Sequence, residues 1–353
     1  MSGKMLLIRA DASAEIGAGH VMRCLALAQA WQRIGGCAMF ALATGGELVE
    51  RIRSEGAEVK NIEAEPGSIG DLGRTAEFCR QLQAEWLLLD GYHFSADYRR
   101  TLRNASPYLL LMDDGEASQP CDCDVVLNPD PNASDRRYMH KEGIQFLLGP
   151  RYALLRHEFL EFRGSRREFP ETAKNVLVTL GGGDRHNVTL QVFQALQDLN
   201  DLELELTVVV GPNYQHWPSL EKALSETRHA AELRSNVENM PHLISRVDLA
   251  ITAGGGTCYE LAFMRVPMFL ITIAKNHERA VDAYASSGAA VSAGWFNSLE
   301  RGALASSLRR VICDRNLRMK LAESAGRMVD GRGAERVVET MQSIRQREGR
   351  VTA

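Results

Sequence analysis

Short apolar runs alternate with amphipathic stretches along nearly the whole chain. In the first half the runs predict strands over 5–9, 37–42, 57–62, 86–90, 108–113 and 124–127, and the stretches between them predict helices over 20–34, 46–55, 71–84 and 95–105. The segment from Leu155 to Pro170 is charged and aromatic with no strand period, and reads as a linking helix and connector. The alternation then restarts, with strands over 175–180, 203–210, 234–237, 249–252 and 267–272 and helices over 187–198, 218–228, 241–246, 257–265 and 277–286. Two further helices fill 301–327 and a last one covers 334–347. Such alternation marks an α/β chain, with parallel sheets covered by helices on both faces. The expected architecture is two Rossmann-like, doubly wound domains, 1–150 and 173–333, joined by a linker over 151–172. A C-terminal helix over 334–353 can pack back on the first domain. Two domains of this kind are expected to face each other across a cleft, a favoured place for a ligand.

Composition narrows function more than fold. The 353 residues are 45% hydrophobic and 24% charged, with a formal net charge of -4, so no global basic field recruits nucleic acid or an anionic membrane. No apolar run reaches the ~20 residues that a membrane-spanning helix needs. The first residues run straight into the first strand without a secretory h-region, so a cytoplasmic location and no membrane insertion are expected. The seven cysteines are scattered, and Cys121 and Cys123 are too close for a zinc-type pair. They read as reduced thiols, mostly core fillers.

The candidate chemistry sits where predicted strands run into predicted helices. After strand 5–9 comes a loop holding Asp11, Glu15, Gly17 and Gly19, and then His20 at a helix start with Arg23 three residues on. Glycines allow close backbone approach to a ligand, a helix N-terminus favours negative charge, and an imidazole exchanges protons near neutral pH. Asp11 or Glu15 could orient His20. The strand 86–90 ends in Asp90, followed by Gly91 and Tyr92, whose hydroxyl can reach a sugar hydroxyl or a water. In the second domain Gly254, Gly255, Gly256 and Thr257 join a strand to a helix, with Glu260 one turn in. Backbone N–H groups there suit a diphosphate, and a carboxylate suits a ribose; the same residues also suit an ordinary tight turn. Gly181, Gly182, Gly183 and Asp184 form either a second anion loop or a flexible turn. Asn276 is a good N-cap, beside Glu278 on the same rim. The glycine turns are neither a nucleoside-triphosphate P-loop nor a dinucleotide fingerprint. Asp113 and Asp114 alone are a weak metal signal, and no metal or cofactor is expected.

These residues bring a family into view. The opening Arg-Ala-Asp11-x-Ser-x-x-Ile-Gly17-x-Gly19-His20-x-x-Arg23 resembles that of the UDP-2,4-diacetamido-2,4,6-trideoxy-beta-L-altropyranose hydrolases of pseudaminic acid biosynthesis. Asp90-Gly-Tyr92, Asp113-Asp114-Gly, Cys123-Asp-Val-Val-Leu-Asn128-Pro, Gly149-Pro-Arg-Tyr152-Ala-Leu-Leu-Arg156, Gly181-Gly-Gly-Asp184 and Asn276-His-Glu278 follow collinearly over about 1–295. The second-domain turn also resembles that of the lipid-linked peptidoglycan N-acetylglucosaminyltransferases, which share the GT-B fold. The resemblance implies a GT-B nucleotide-sugar hydrolase without a metal. In it His20 activates water, Tyr92 serves the active site, the glycine turn holds UDP and Glu260 takes the ribose. The chain departs from that pattern at Gly91, where some relatives carry a bulkier polar residue, and in its more glycine-rich Ala-Gly-Gly-Gly turn. The expected partner is a small UDP-sugar. The alternatives are a GT-B glycosyltransferase with a hydroxyl acceptor, a UDP-sugar 2-epimerase and a nucleotide-sugar-binding protein without catalysis.

Overall fold

Strands that are buried on both faces read as continuous apolar runs, and this chain builds both of its sheets from them. The structure, a computed structural model, describes residues 4–13, 17–44, 46, 48–106, 108–113, 122–135, 143–182, 184–211, 214–235, 237 and 239–351, the side chains of 347–351 excepted. Glu15, Asp114, Cys121 and Gly183 lie outside the described residues. Contacts divide the chain into two units, Met1–His157 with Gly331–Ala353, and Glu158–Asp330.

Unit 1 contains β1 (Met5–Ala10), α1 (Gly19–Arg33), β2 (Cys37–Leu42), α2 (Leu48–Ser54), β3 (Glu58–Asn61), α3 (Ile69–Gln81), β4 (Trp86–Asp90), α4 (Ala96–Leu102), β5 (Tyr108–Met112), β6 (Val125–Asn128) and β7 (Gln145–Leu148). The short α5 (His157–Leu160) lies at the junction of the units. Its sheet runs β3-β2-β1-β4-β5-β6-β7, with each neighbouring pair parallel. In that order β1 is flanked by β2 and β4, so the connections leaving β1 and β4 diverge. A crevice opens there at the carboxyl ends of the two strands, the usual ligand position of doubly wound sheets. Ala10 pairs with Asp90 in this register. On one face Leu25, Leu27, Ala28 and Trp31 of α1 join Leu6, Ile8, Phe40, Trp86 and Leu88 in one core.

Unit 2 repeats the plan with β8 (Asn175–Thr179), α6 (Val188–Gln197), β9 (Glu205–Val210), α7 (Trp217–Glu226), β10 (Ala230–Ser235), α8 (Met240–Ser245), β11 (Leu249–Thr252), α9 (Thr257–Phe263), β12 (Met268–Thr272), α10 (Lys275–Ser286), β13 (Ala290–Trp295), α11 (Arg301–Cys313) and α12 (Arg315–Met328). The sheet order is β10-β9-β8-β11-β12-β13, again parallel, with the switch between β8 and β11. Two arginines, Arg167 half-buried and Arg318 buried, tie irregular segments to helix ends within this unit. Arg167 donates to the carbonyls of Ile244 and Met264, and Arg318 to those of Val311 and Glu171. The chain then returns to unit 1 through α13 (Gly333–Val351), whose Val337, Val338 and Met341 are buried in the core that α1 lines.

Three strands and the connector depart from the sequence reading. The edge strands β7 and β13 were not expected, and β10 lies over Ala230–Ser235 rather than 234–237. The segment Ala-Ala-Glu-Leu-Arg-Ser of β10 and the Ala, Ser and Gly of β13 have little intrinsic strand preference; pairing with β9 and β12 imposes the extended form. Of the segment 155–170, expected to hold a linking helix and a connector, His157–Leu160 alone is helical. Among the described cysteines none is in a disulfide; Cys24, Cys79, Cys123 and Cys258 are buried, and Cys37 and Cys313 are exposed. Among the described residues no helix is long and apolar enough to cross a membrane.

Candidate active site

Unit 1 gathers its titratable side chains at the crevice between β1 and β4. The loop after β1 turns where the Gly17 N–H donates to the Ser13 carbonyl at 2.8 Å, and α1 begins at Gly19. The residue before it, Ala18, provides no side-chain cap for the first amides of this helix. His20 is the second residue of α1 and is buried. Its Nδ1 lies 2.6 Å from Oδ1 of Asp90, the last residue of β4. An ionised carboxylate only accepts, so Nδ1 carries the proton and Nε2 is the basic nitrogen. Nε2 has no protein partner among the described residues.

Asp90 is fully buried and multiply held. Arg23, one turn beyond His20 on α1, donates to it through Nε (2.6 Å to Oδ2) and NH2 (2.5 Å to Oδ1), a two-point fork. Arg23 NH2 also lies 3.0 Å from His20 Nδ1; with that nitrogen protonated, this is a contact and not a hydrogen bond. Cys24 adds its S–H to Oδ2 at 3.3 Å. Burial by itself would raise the Asp90 carboxyl, but the Arg23 charge, with a smaller part from His20, outweighs it and holds the group well below the usual carboxylate range. Burial and then the Asp90 charge push the Cys24 thiol up, so it stays protonated and remains a donor. Tyr92, just past β4, is exposed and meets the His20 ring edge-on, with centroids 5.1 Å apart. His20, Arg23, Asp90 and Tyr92 thus lie together.

Asp11 does not join them. The expectation that it orients His20 is corrected, because Asp90 does so. Asp11 Oδ1 accepts from the backbone N–H groups of Ala43 (2.7 Å) and Thr44 (3.0 Å), while Oδ2 faces Arg9 at 2.7 Å and His93 at 3.3 Å. Its carboxylate therefore binds β1 to the end of β2. Cys24 and His93 are site neighbours that carried no signal in the sequence.

Unit 2 builds its candidate site from backbone. Gly254 lies where the β11–α9 turn meets the start of α10: a Cβ there would sit 2.7 Å from Val281 Cγ2 and 2.9 Å from the His277 carbonyl oxygen. Side chains other than hydrogen are excluded, and the first turns of α9 and α10 are brought side by side. A Cβ on Gly255 would have only His277 Nε2 nearby, at 3.9 Å, and one on Gly256 would meet open space. Thr257 opens α9, and Glu260 lies half-buried in its first turn. The α10 cap position is Ala274, so Asn276 is an exposed first-turn residue and not the N-cap expected from its type. Glu278, also in that turn, accepts from Trp295 Nε1 at 2.9 Å; Trp295, on the unexpected β13, was not legible as a partner.

The loop after β8 differs from expectation. Both oxygens of Asp184 accept from the first amides of α6, Val188 N (2.9 Å) and Thr189 N (2.7 Å). Asp184 is buried and already supplies the negative charge that this helix end favours. It is a cap, and its proposed role as a ligand contact is corrected. Gly181 and Gly182 precede it and are exposed. Among the described residues no group of three His, Cys, Asp or Glu side chains is arranged to hold a metal ion.

No protein-family model matches the chain. An alignment of 275 residues is 26% identical to an uncharacterized protein of Methanocaldococcus jannaschii, covering 75% of this chain and 55% of that protein. The spore coat polysaccharide biosynthesis protein SpsG of Bacillus subtilis is 25% identical over 57% of this chain and 59% of its own length. The chain therefore spans a little over half the length of these two relatives. The UDP-2,4-diacetamido-2,4,6-trideoxy-beta-L-altropyranose hydrolase of Campylobacter jejuni is 24% identical over 80% of this chain and 97% of its own length. Among solved structures, MurG of Acinetobacter baumannii superposes with a TM-score of 0.67 at 16% identity, covering 96% of this chain and 99% of that one. The calicheamicin glycosyltransferase CalG4 gives 0.66 at 15% identity, covering 98% of each chain. Two parallel α/β domains of seven and six strands, with these likenesses, make the fold GT-B.

Proposed function

We propose that this protein is an enzyme of nucleotide sugars, and specifically a hydrolase that releases UDP from UDP-2,4-diacetamido-2,4,6-trideoxy-beta-L-altropyranose with inversion at C1. The observation that carries the reading is the His20–Asp90 dyad: an imidazole with its Nδ1 held by a buried carboxylate and its Nε2 without a protein partner among the described residues, at the switch point of unit 1. The alignment with the Campylobacter hydrolase, nearly complete over that protein, supports the same choice.

In this reaction the oxygen of water attacks C1 as Nε2 of His20 takes its proton. The C1–O bond to the β-phosphate breaks and its electron pair leaves with UDP. Asp90 keeps the Nδ1–H tautomer in place and opposes the positive charge that grows on the ring; Arg23 keeps Asp90 ionised. A positioned base of this kind contributes about 10²–10⁴-fold. The departing diphosphate is already an anion and needs stabilisation of charge more than a proton. The backbone N–H groups at the starts of α9 and α10 are suited to supply it, with Glu260 on the ribose. Attack from the face opposite the leaving group gives inversion, as with a base-activated water in glycoside hydrolysis.

Incubating 2,4-diacetamido UDP-sugars with the enzyme, without any acceptor, and following them by NMR tests the proposal. Release of UDP with an inverted anomeric centre is the expected result. Strict dependence on an added hydroxyl acceptor would make it a transferase instead, and an epimerised free sugar would make it a 2-epimerase.

A further inference from the structure

Among the described residues, the side chains that donate to Asp90 all come from one face of one helix. His20, Arg23 and Cys24 stand at positions i, i+3 and i+4 of α1, so they project side by side. An ionised carboxylate offers about four lone-pair positions, and these residues fill them in pairs. Oδ1 accepts from His20 Nδ1 (2.6 Å) and Arg23 NH2 (2.5 Å). Oδ2 accepts from Arg23 Nε (2.6 Å) and the Cys24 thiol (3.3 Å).

The donors differ in how firmly each is itself held. Arg23 has a long side chain that is 20% exposed. The His20 ring must gain and lose a proton in the proposed reaction. Cys24 is fully buried and belongs to the core that Ala10 of β1, Leu88 of β4 and Ala28 of α1 share. A single torsion sets its sulfur relative to the helix backbone, so the thiol ties α1 to the last residue of β4 with little slack. Ala18 gives the first turn of α1 no side-chain cap, which adds weight to contacts one turn further in. The thiol also meets the carboxylate oxygen that His20 does not use, so it can hold Asp90 without competing for Oδ1. An unserved lone pair on a buried carboxylate is costly, and the thiol serves the one that faces the core.

We infer that Cys24 is a positioning residue: from the core it holds Oδ2 of Asp90 so that Oδ1 stays aligned with His20 Nδ1. This rests on the reading of His20 as the base. The spacing His20-x-x-Arg23-Cys24 is then one device, in which the first residue exchanges the proton, the second keeps Asp90 ionised and the third keeps it in place.

Kinetics and NMR of Cys24→Ala, which removes the donor, and Cys24→Ser, which keeps one, test the inference. Cys24→Ala should lower kcat for UDP release about fivefold, the scale of one weak hydrogen bond, with KM within about twofold; Cys24→Ser should recover most of the loss. In an Asp90→Asn background Cys24→Ala should cost little more, because residues that act through one group are non-additive. The His20 Nδ1 proton gives an answer independent of turnover. Its resonance should lie far downfield in the native protein, move upfield and exchange faster with water in Cys24→Ala, and return in Cys24→Ser. If Cys24→Ala does not fold, Cys24→Val, which fills the space without a donor, should give the same displacement. An unmoved Nδ1 proton, a Cys24→Ser protein as impaired as Cys24→Ala, or a loss that adds in full to that of Asp90→Asn would overturn the positioning role. A displaced proton in a protein that releases no UDP from any UDP-sugar would uphold it and refute the hydrolase reading.

Discussion

The loops at the two switch points solve different problems with different materials. In unit 1 the crevice between β1 and β4 is lined with buried charge: Asp90 bound by Arg23, His20 and Cys24, and behind it Arg9, Asp11 and Asp71. In unit 2 the corresponding turn after β11 exposes backbone and glycine, and the carboxylate on the neighbouring loop, Asp184, is engaged in capping a helix. Moving protons needs ionisable groups whose protonation states are set by fixed neighbours. Gripping a diphosphate needs amides and close approach, not side-chain charge. On the proposed reading, the proton chemistry belongs to unit 1 and the grip on the diphosphate to unit 2.

The largest effect should come from Asp90→Asn. The amide can present an N–H to Nδ1 and favour the wrong tautomer, and turnover should fall about a thousandfold or more. Arg23 would lose its ionised partner, and truncating a buried pair costs about 3–5 kcal/mol; urea unfolding should show the loss. If Asp90→Asn leaves turnover intact, the contrast between the units fails on the unit 1 side. Next come two glycines that sharpen the unit 2 side. Gly254→Ala should lose about 1–3 kcal/mol of stability by overpacking against Val281 and the His277 backbone. Gly256→Ala should unfold as the native protein does yet bind UDP several-fold more weakly by calorimetry, since its new methyl meets open space where the ligand would approach. Unchanged UDP affinity in Gly256→Ala would remove this turn from the nucleotide site.

Acid should separate the two regions more gently. The folded Asp90 carboxyl lies below its unfolded value of about 3.9. Its contribution to stability is therefore complete above that pH and disappears as pH falls through the lower, folded value. The stability difference between the native protein and Asp90→Asn should stay flat from pH 7 to about 5 and shrink below about 4; a difference that shrinks near neutrality would contradict the Arg23 fork. The smallest effect concerns thiols. Burial pushes Cys79 and Cys258 up to about 12, so alkylation of the native protein at pH 8 should label Cys37 and Cys313 and spare Cys24, Cys79, Cys123 and Cys258, as mass spectrometry can show.

How much was legible in the chain follows from where each signal is stored. The strands Trp86–Asp90 and Leu249–Thr252 match their predicted bounds, because central parallel strands are uninterrupted apolar runs. The edges β7, β10 and β13 carry weaker patterns, and their neighbours determine them. His20 stood out because two glycines frame its loop. Asp90 stood out too, as a polar residue at the carboxyl end of a strand, but not as the partner of His20. Asp11, nine residues away, looked the better orienter, whereas Asp90, seventy residues away, is brought in by the β1–β4 pairing that sets Ala10 beside it. Asp184 beside three glycines resembled an anion loop, but the hydrogen bonds to α6 that define it as a cap depend on where that helix starts.

The account stands most directly on one comparison: UDP release from the 2,4-diacetamido altrose donor by the native protein and by His20→Asn, with UDP affinity measured on both. A fall in turnover of about 10²–10⁴-fold with affinity for UDP unchanged is the predicted result. Equal turnover in the two proteins would contradict it.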